Sequence, residues 1–463
     1  MFTVVIPQRV EGPDPHEVVS SVSRSVLRSA FETLVDREHS FRPGLAANWS
    51  LRDDTTWVFE LRPGVVCHDG EPFTAESVVA TCERFTSPTT RNIMAGALSA
   101  VRRISAKDDL TVVFETERPT SELPLALGRV PMMSTGSCRG SESLAGTGPF
   151  RLLGIEEERA TFESFDAYWG GPPSLESVCF QTVSEPETRL ATVRDGRADI
   201  ATNLDPTVLD APPGDFRIES RTNMLSTSIM LNLRVGPLAD TRVRTALNLA
   251  VDVEGLIRVA LHGAGVPLAS AVGPEYFAHD PSITPHPYDP ESARGLLADA
   301  NAERFSLRLA VPSGRYPRGE EAAEYVARNL EEVGVDCVVE PLDWPAFVRG
   351  IEDKSHEAFY MQISTMATER LLANEFSSRT KGIGWHYYEN PGVDDLVQRA
   401  SETLDEHERA ILLRGALREL HQDPPWIFLF NQADVYAVGP QVHGWEPLSN
   451  GFIDLSQTSR DDD

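Results

Sequence analysis

Between Phe305 and Leu342 the chain places a strand, a helix and a strand in succession. Phe305–Pro312 reads as a strand, Gly319–Val333 carries its apolar residues at helical spacing and stops at Gly334, and Asp336–Leu342 reads as a second strand. That alternation is the pattern of α/β folds, and it continues with strands at Phe359–Ser364 and Trp426–Asn431, the last preceded by helices at Pro391–Leu404 and Asp405–His421.

The N-terminal half is richer in strands. Short alternating or β-branched runs occur at Thr3–Pro7, Trp57–Val66, Leu110–Glu115, Arg159–Phe165 and Val178–Val183. Between them, Thr74–Phe85 puts Val78, Val79, Cys82 and Phe85 on one helical stripe behind a Thr74 cap, and Glu187–Arg194 is a shorter helix. In the middle, Asp240–His262 reads as one helix with Gly263 as its stop, and Asp289–Ala300 opens on Asp-Pro at a helix start. Loop chemistry rich in Gly, Pro, Ser and Asp marks Ser134–Gly148, Asp210–Gly214 and Val266–Pro287. The first of these loops and the change of pattern near Asn232 are the boundaries, which fits two α/β lobes with a smaller domain inserted in the first. Ligands bind in clefts between such lobes.

Length and charge narrow the function classes. At ~100–200 residues per domain, 463 residues allow several domains. With 42 Lys+Arg against 70 Asp+Glu the net charge is −28, and no basic stripe offsets it, so nucleic acid and anionic lipid are excluded as expected partners. No stretch approaches the ~18 apolar residues of a membrane span. Met1–Pro7 has no basic, long apolar or cleavage region of a secretory signal. Five scattered cysteines, Cys67, Cys82, Cys138, Cys179 and Cys337, read as reduced core thiols.

Enzyme and metal motifs are weak. Cys67-His68-Asp69 offers three ligand types, but consecutive strand residues point to opposite faces and cannot converge on one ion. The sequence holds no nucleophile elbow, no Walker loop and no dinucleotide fingerprint. No cofactor, metal or catalytic residue is expected.

A series of motifs in order resembles the family 5 extracellular solute-binding proteins, the oligopeptide-, dipeptide- and nickel-binding components of ABC importers. It comprises Phe31-Glu-Thr-Leu-Val35, Pro43-Gly-Leu-Ala46 with Trp49, Trp57-Val-Phe-Glu-Leu-Arg-Pro-Gly-Val65, His68-Asp-Gly70 and Pro72-Phe-Thr-Ala-Glu-Ser-Val78. It continues through Gly146-Thr-Gly-Pro-Phe150, Tyr168-Trp-Gly-Gly171, Arg194-Asp-Gly-Arg-Ala-Asp199, Asn232, Asp240-Thr-Arg-Val-Arg-Thr-Ala246, Gly314-Arg-Tyr-Pro317, Gly334-Val-Asp336 and Asn390-Pro391 with Asp394-Asp-Leu396. Taken singly, each is turn, cap or packing chemistry. Together they span nearly the whole chain.

The resemblance implies an α/β, periplasmic binding protein-like type II (cluster C) fold, with two lobes, a hinge and an inserted third domain. The expected division is lobe I at residues 1–43 and 146–229 with 434–463 returning, inserted domain II at 44–145, and lobe III at 230–433. It implies capture of a small molecule or peptide-like ligand between the lobes, an ABC transporter permease as partner, and a monomer. Carried over residue by residue, the expected ligand-binding residues are Arg9, Glu11, Arg91, Met94, Thr365, Met366, Glu369, Asn431 and Tyr436. Arg315, Tyr316, Trp385 and His386 form a second group, because Arg and aromatic groups suit carboxylate pairing and stacking.

The chain departs from the pattern at one point. Peptide-binding members resembling it carry a Gly-Trp-x-x-Asp segment whose aspartate pairs with a peptide's α-ammonium, and the matching run here is Gln362-Ile-Ser-Thr-Met-Ala-Thr-Glu-Arg370. Met366 falls near the aspartate's place, and a buried ammonium without a charge partner is costly. The expected ligand is therefore less cationic than a free-amine peptide, unless Glu369 substitutes. The family norm is extracytoplasmic. A cytoplasmic location and a role as a biosynthetic enzyme or intermediate carrier are the alternative if Met1 is the natural start.

Overall fold

The computed structural model describes the chain except residues 37–41, 142, 211–213, 365–366, 383–384 and 462–463. Two compact units emerge. One comprises Met1–Asp205, Pro212–Arg221 and Asp434–Asp463, and the other Pro206–Ala211 and Thr222–Ala433. Besides the short excursion of Pro206–Ala211, the chain passes from one to the other inside two continuous strands, Arg217–Leu231 and Trp426–Val438.

In the first unit, Phe2–Ile6 lies parallel to Ser177–Thr182, with Val4 opposite Phe180, and on its other side parallel to Ile200–Ala201. Arg159–Ser164 and Phe150–Ile155 extend the sheet antiparallel. The inward residues Phe2, Val4, Phe162, Val178 and Phe180 join Phe31 and Phe150 in one core. Residues 46–116 build a separate four-stranded antiparallel sheet in the order Ala46–Asp53, Thr56–Leu61, Thr111–Thr116, Val101–Asp108. The helix Ala75–Thr86 accompanies it. Its start is a capping box between Thr74 and Ser77, and its stripe buries Val78, Cys82 and Phe85.

In the second unit, Phe305–Pro312 pairs in parallel with Val335–Leu342 and with Ala358–Ser364, joined to the former through the helix Gly319–Glu332. The strand Ala358–Ser364 in turn runs antiparallel to Arg217–Leu231, with Thr227 opposite Gln362. One side of this sheet buries Met230, Phe347, Phe359, Leu413 and Trp426 in a second core.

Three expectations need correction. Asp240–His262 is two helices, Thr241–Ala250 and Val253–Ala260. Asp240 and Asp252 each cap a helix start, Asp252 accepting from Gly255 N at 2.8 Å, and Val251 between them is extended. The strand Arg217–Leu231 was not anticipated, and the last strand continues beyond Asn431 to Val438. All five cysteines are free thiols, four of them buried.

Candidate functional site

The strands of the second unit carry polar side chains where apolar ones would ordinarily sit. From Asn223 to Ser228 the chain reads Asn-Met-Leu-Ser-Thr-Ser, and Asn223, Ser226, Thr227 and Ser228 are all buried. Thr227 faces Gln362 across the pair, and the Gln362 side-chain amide donates to Gln432 Oε1 at 2.6 Å. Two residues along the same face lies Tyr360, fully buried, with its ring 6.1 Å from that of Tyr316. Burial raises the phenol pKa of both tyrosines. Asn431 donates to Leu225 O at 3.0 Å and to Ser226 Oγ at 3.4 Å. It fits there because Gly273 has no side chain: a Cβ at that position would stand 1.3 Å from Asn431 Oδ1. The face of Thr227, Tyr360, Gln362 and Gln432 is uncharged and rich in hydroxyl and amide groups, which can pair with the amides and hydroxyls of a neutral solute.

Of the expected residues in this unit, Tyr316 therefore lies beside the polar face through Tyr360, whereas Asn431, next to Gln432 in the same strand and bonded to Ser226, lies on the opposite face. Arg315 stacks over the Trp344 ring at 4.4 Å. Glu369 is buried in the first turn of the helix Thr368–Glu375, where the helix dipole favours a carboxylate. Trp385 donates from Nε1 to Tyr388 O at 2.6 Å and lies under Lys381 at 5.0 Å. His386 packs 4.8 Å from Phe359 and is buried, so both serve packing within the unit. Thr365 and Met366 lie outside the described residues.

In the first unit, Arg9 and Arg91 are exposed and Met94 is half-buried. The Arg91–Met94 loop is held by its backbone: Arg91 N donates to Glu17 Oε1 at 3.4 Å, and Met94 N to Asn92 Oδ1 at 2.8 Å. Glu11 accepts from Val19 N at 2.6 Å and from Ser20 N at 3.1 Å, so its carboxylate secures the start of the helix Ser21–Leu27. Tyr436 is buried in the unit's core, edge-on to Trp445 at 5.3 Å, and burial together with Asp434 raises its phenol pKa well above the ordinary value. The expected residues are thus of two kinds, with Arg9, Arg91 and Met94 reaching the surface and Glu11 and Tyr436 tied into their own unit.

Thr227, Tyr360, Gln362 and Gln432 were not among the expected residues. Their signal in the sequence is a run of polar residues inside what is otherwise a strand. Among the described residues, no group of three or more His, Cys, Asp or Glu side chains could hold a metal ion, and no helix is long and apolar enough to cross a membrane. His68 is buried, its Nε2 is 3.0 Å from Gly148 O, and it packs edge-on to Phe165.

Comparison with known proteins agrees with this architecture. The profile of the Bacterial extracellular solute-binding proteins, family 5 Middle, matches residues 40–378. A curated relative, the glutathione-binding protein GsiB of Pectobacterium atrosepticum, is 28% identical over 93% of this chain and 88% of its own. Its namesake in Escherichia coli (strain K12) is 26% identical over 95% of this chain and 90% of its own. Among solved structures, the substrate-binding protein CtaP of Listeria monocytogenes superposes with a TM-score of 0.89 at 18% identity, covering 99% of both chains. The periplasmic binding protein DppA of Helicobacter pylori, in complex with the peptide STSA, superposes at 0.77 with 21% identity, covering 99% of this chain and 98% of its own. The fold is accordingly the mixed α/β, type II binding-protein fold, and the family's role is solute binding rather than catalysis. The chain belongs to the family 5 bacterial extracellular solute-binding proteins.

Proposed function

We propose that this protein captures a peptide or peptide-like small molecule and delivers it to an ABC transporter permease. The observation that carries the reading is the match to the family 5 profile together with the uncharged polar face of Thr227, Tyr360, Gln362 and Gln432 in the second unit. Such a face suits the amide groups of a peptide backbone, and the relatives named for glutathione and peptide binding make short peptides the first class to test. Asn431, Tyr316 and Arg315 of the second unit, and Arg9, Arg91 and Met94 of the first, are the proposed contacts.

The α-ammonium of an ordinary peptide needs a carboxylate partner, and the matching run of this chain has Met366 near that position. The preferred ligand is therefore a peptide whose amine is blocked, or a γ-linked one such as glutathione, whose ammonium has a free carboxylate on the same carbon beside it. Thermal shift and calorimetry with glutathione, N-acetylated tripeptides and unmodified di- to pentapeptides test this. A ligand at about a hundredfold excess over its Kd should stabilise the protein by ~2.7 kcal/mol. Tight binding of unmodified peptides in preference to blocked ones contradicts the ligand class, and no binding by any of them contradicts the peptide reading.

A further inference from the structure

Three of the sequence landmarks meet at one carboxylate of the first unit. Glu32, shortly after the helix Ser21–Leu27, accepts from the Thr147 hydroxyl on Oε2 at 2.8 Å and from the Tyr168 hydroxyl on Oε1 at 3.1 Å. Trp169 Nε1–H donates to both oxygens, at 2.9 and 3.2 Å. The turn that presents Tyr168 and Trp169 depends on Gly170, where a Cβ would stand 2.6 Å from the Tyr168 ring. Glu32 also borders a cavity of about 140 Å³, with Arg28, Asp36 and Asp454 in its wall, which gives protons a route to the carboxylate.

The charged and titratable groups around Glu32 come from every segment packed there. Arg28, at the end of the helix, is paired with Asp36 and lies 5.3 Å over the Phe452 ring. Asp36 faces Arg42 across the short pair of strands that follows. Asp454 acts on Tyr168 from the C-terminal segment, and Arg62 stacks over Trp169 at 4.4 Å. Two opposed effects act on the carboxyl. Burial favours the neutral acid, whereas the Trp169, Thr147 and Tyr168 donors, with Arg28, favour the anion, and the balance pushes the pKa up to about 7.

We propose that Glu32 works as a proton-operated latch on the Tyr168–Trp169 turn. The carboxylate accepts every donor around it. A proton arriving through the cavity occupies one oxygen, and that oxygen then donates. The Thr147 and Tyr168 hydroxyls can rotate to accept it, but the indole N–H of Trp169 has no lone pair to offer and is left with a neutral, weaker acceptor in place of a carboxylate oxygen. The turn is held tightly above neutral pH and loosened below it, where the other oxygen still accepts.

The test is a titration of tryptophan emission from about pH 5 to about pH 9, with the spectrum of W169F subtracted to isolate Trp169. The expected result is a sigmoidal change centred near pH 7 in the unaltered protein and its absence in E32Q. In Y168F, which removes a donor that favours the anion, the midpoint should move upward. The same midpoint persisting in E32Q, or no Trp169-dependent change at all, overturns the latch. Carbon-13 NMR of glutamate-labelled unaltered protein decides the matter should E32Q fail to fold. One side-chain carboxyl titrating near 7 supports the latch, and all carboxyls titrating near the ordinary value of about 4.3 overturn it.

Discussion

In the first unit Arg189, 2% exposed, directs its guanidinium to four backbone carbonyls, Val183, Ser184, Thr202 and Asn203, at 2.6–2.9 Å, and Glu32 meets three donors. In the second unit, buried Asn223 Nδ2, Thr227 Oγ1, Ser228 Oγ, Tyr360 Oη and Asn431 Oδ1 sit on neighbouring strands without a hydrogen-bond partner of good geometry. The first unit has such groups too, at Ser29, Trp445 and Thr458, but not clustered on paired strands. Nor is the second unit deficient in general: buried Arg244 reaches Pro424 O, Leu238 O and Ala239 O at 2.8–2.9 Å and pairs with Asp423. The difference is concentrated in one group of strands, with His286 Nε2 and Arg414 Nε the same kind of group elsewhere in the second unit. Buried polar groups that are answered hold a scaffold together, whereas a cluster left open lowers stability and has another use. Solute recognition is that use in the proposed function.

The comparison breaks most visibly at Arg189. Burial lowers its pKa to about 10, yet its donors are matched, so Arg189→Met leaves four carbonyls unanswered and should destabilise by about 3–5 kcal/mol in urea unfolding. A loss under about 1 kcal/mol would show that the first unit's network is not what holds it.

A smaller effect tests the sign of the pH dependence. His16 and His68, both buried in the first unit, have pKa values lowered to about 4, chiefly by burial. Their stabilising contribution is complete above the unfolded value of about 6.5 and is lost as pH falls from there toward 4. Glu32 acts in the opposite direction, because its folded pKa is raised from 4.5 to about 7. Its contribution is complete below 4.5 and is lost as pH rises through 7. E32Q removes this counter-slope, so the loss of stability between pH 7.5 and 5 should be steeper in E32Q by on the order of 1 kcal/mol. Equal slopes in urea unfolding at the two pH values would contradict this assignment.

The smallest expected effect is in the second unit. Thr227→Val keeps the shape and removes a hydroxyl whose contact with the Tyr360 phenol is of poor geometry, so it should leave stability unchanged or raise it by up to ~1 kcal/mol in the same assay. A clear destabilisation would mean that the hydroxyl is answered after all.

How much of this was legible in the sequence follows the same division. Where the periodicity is apolar, as in Phe305–Pro312 and the helix Gly319–Glu332, the elements lie where it places them. Turn glycines were equally clear, since Gly64, Gly70, Gly171, Gly263 and Gly334 all have φ between +77° and +98°. Asp252 ends one helix and caps the next, a local competition that hydrophobic spacing alone does not register. The strand Arg217–Leu231 was hidden because Asn223, Ser226, Thr227 and Ser228 interrupt its alternation while lying inside the fold. Asn431 and Gln432 likewise concealed the continuation of the last strand to Val438. The polar residues that obscured these strands are those of the candidate site, so the failure of the pattern was itself the signal. Glu11, Trp385, His386 and Tyr436 have ligand-like chemistry in the sequence, but their caps and packing partners come from residues the sequence does not place beside them.

The most direct measurement is calorimetric titration of the protein with glutathione and with N-acetylated and unmodified tripeptides, repeated on Asn431→Ala and Tyr316→Phe. The account predicts one-to-one binding of a blocked or γ-linked peptide, weakened about tenfold or more by Asn431→Ala and less by Tyr316→Phe, corresponding to roughly 1.4 kcal/mol for each tenfold. Binding of none of these peptides, or binding of equal strength in both variants, would contradict it.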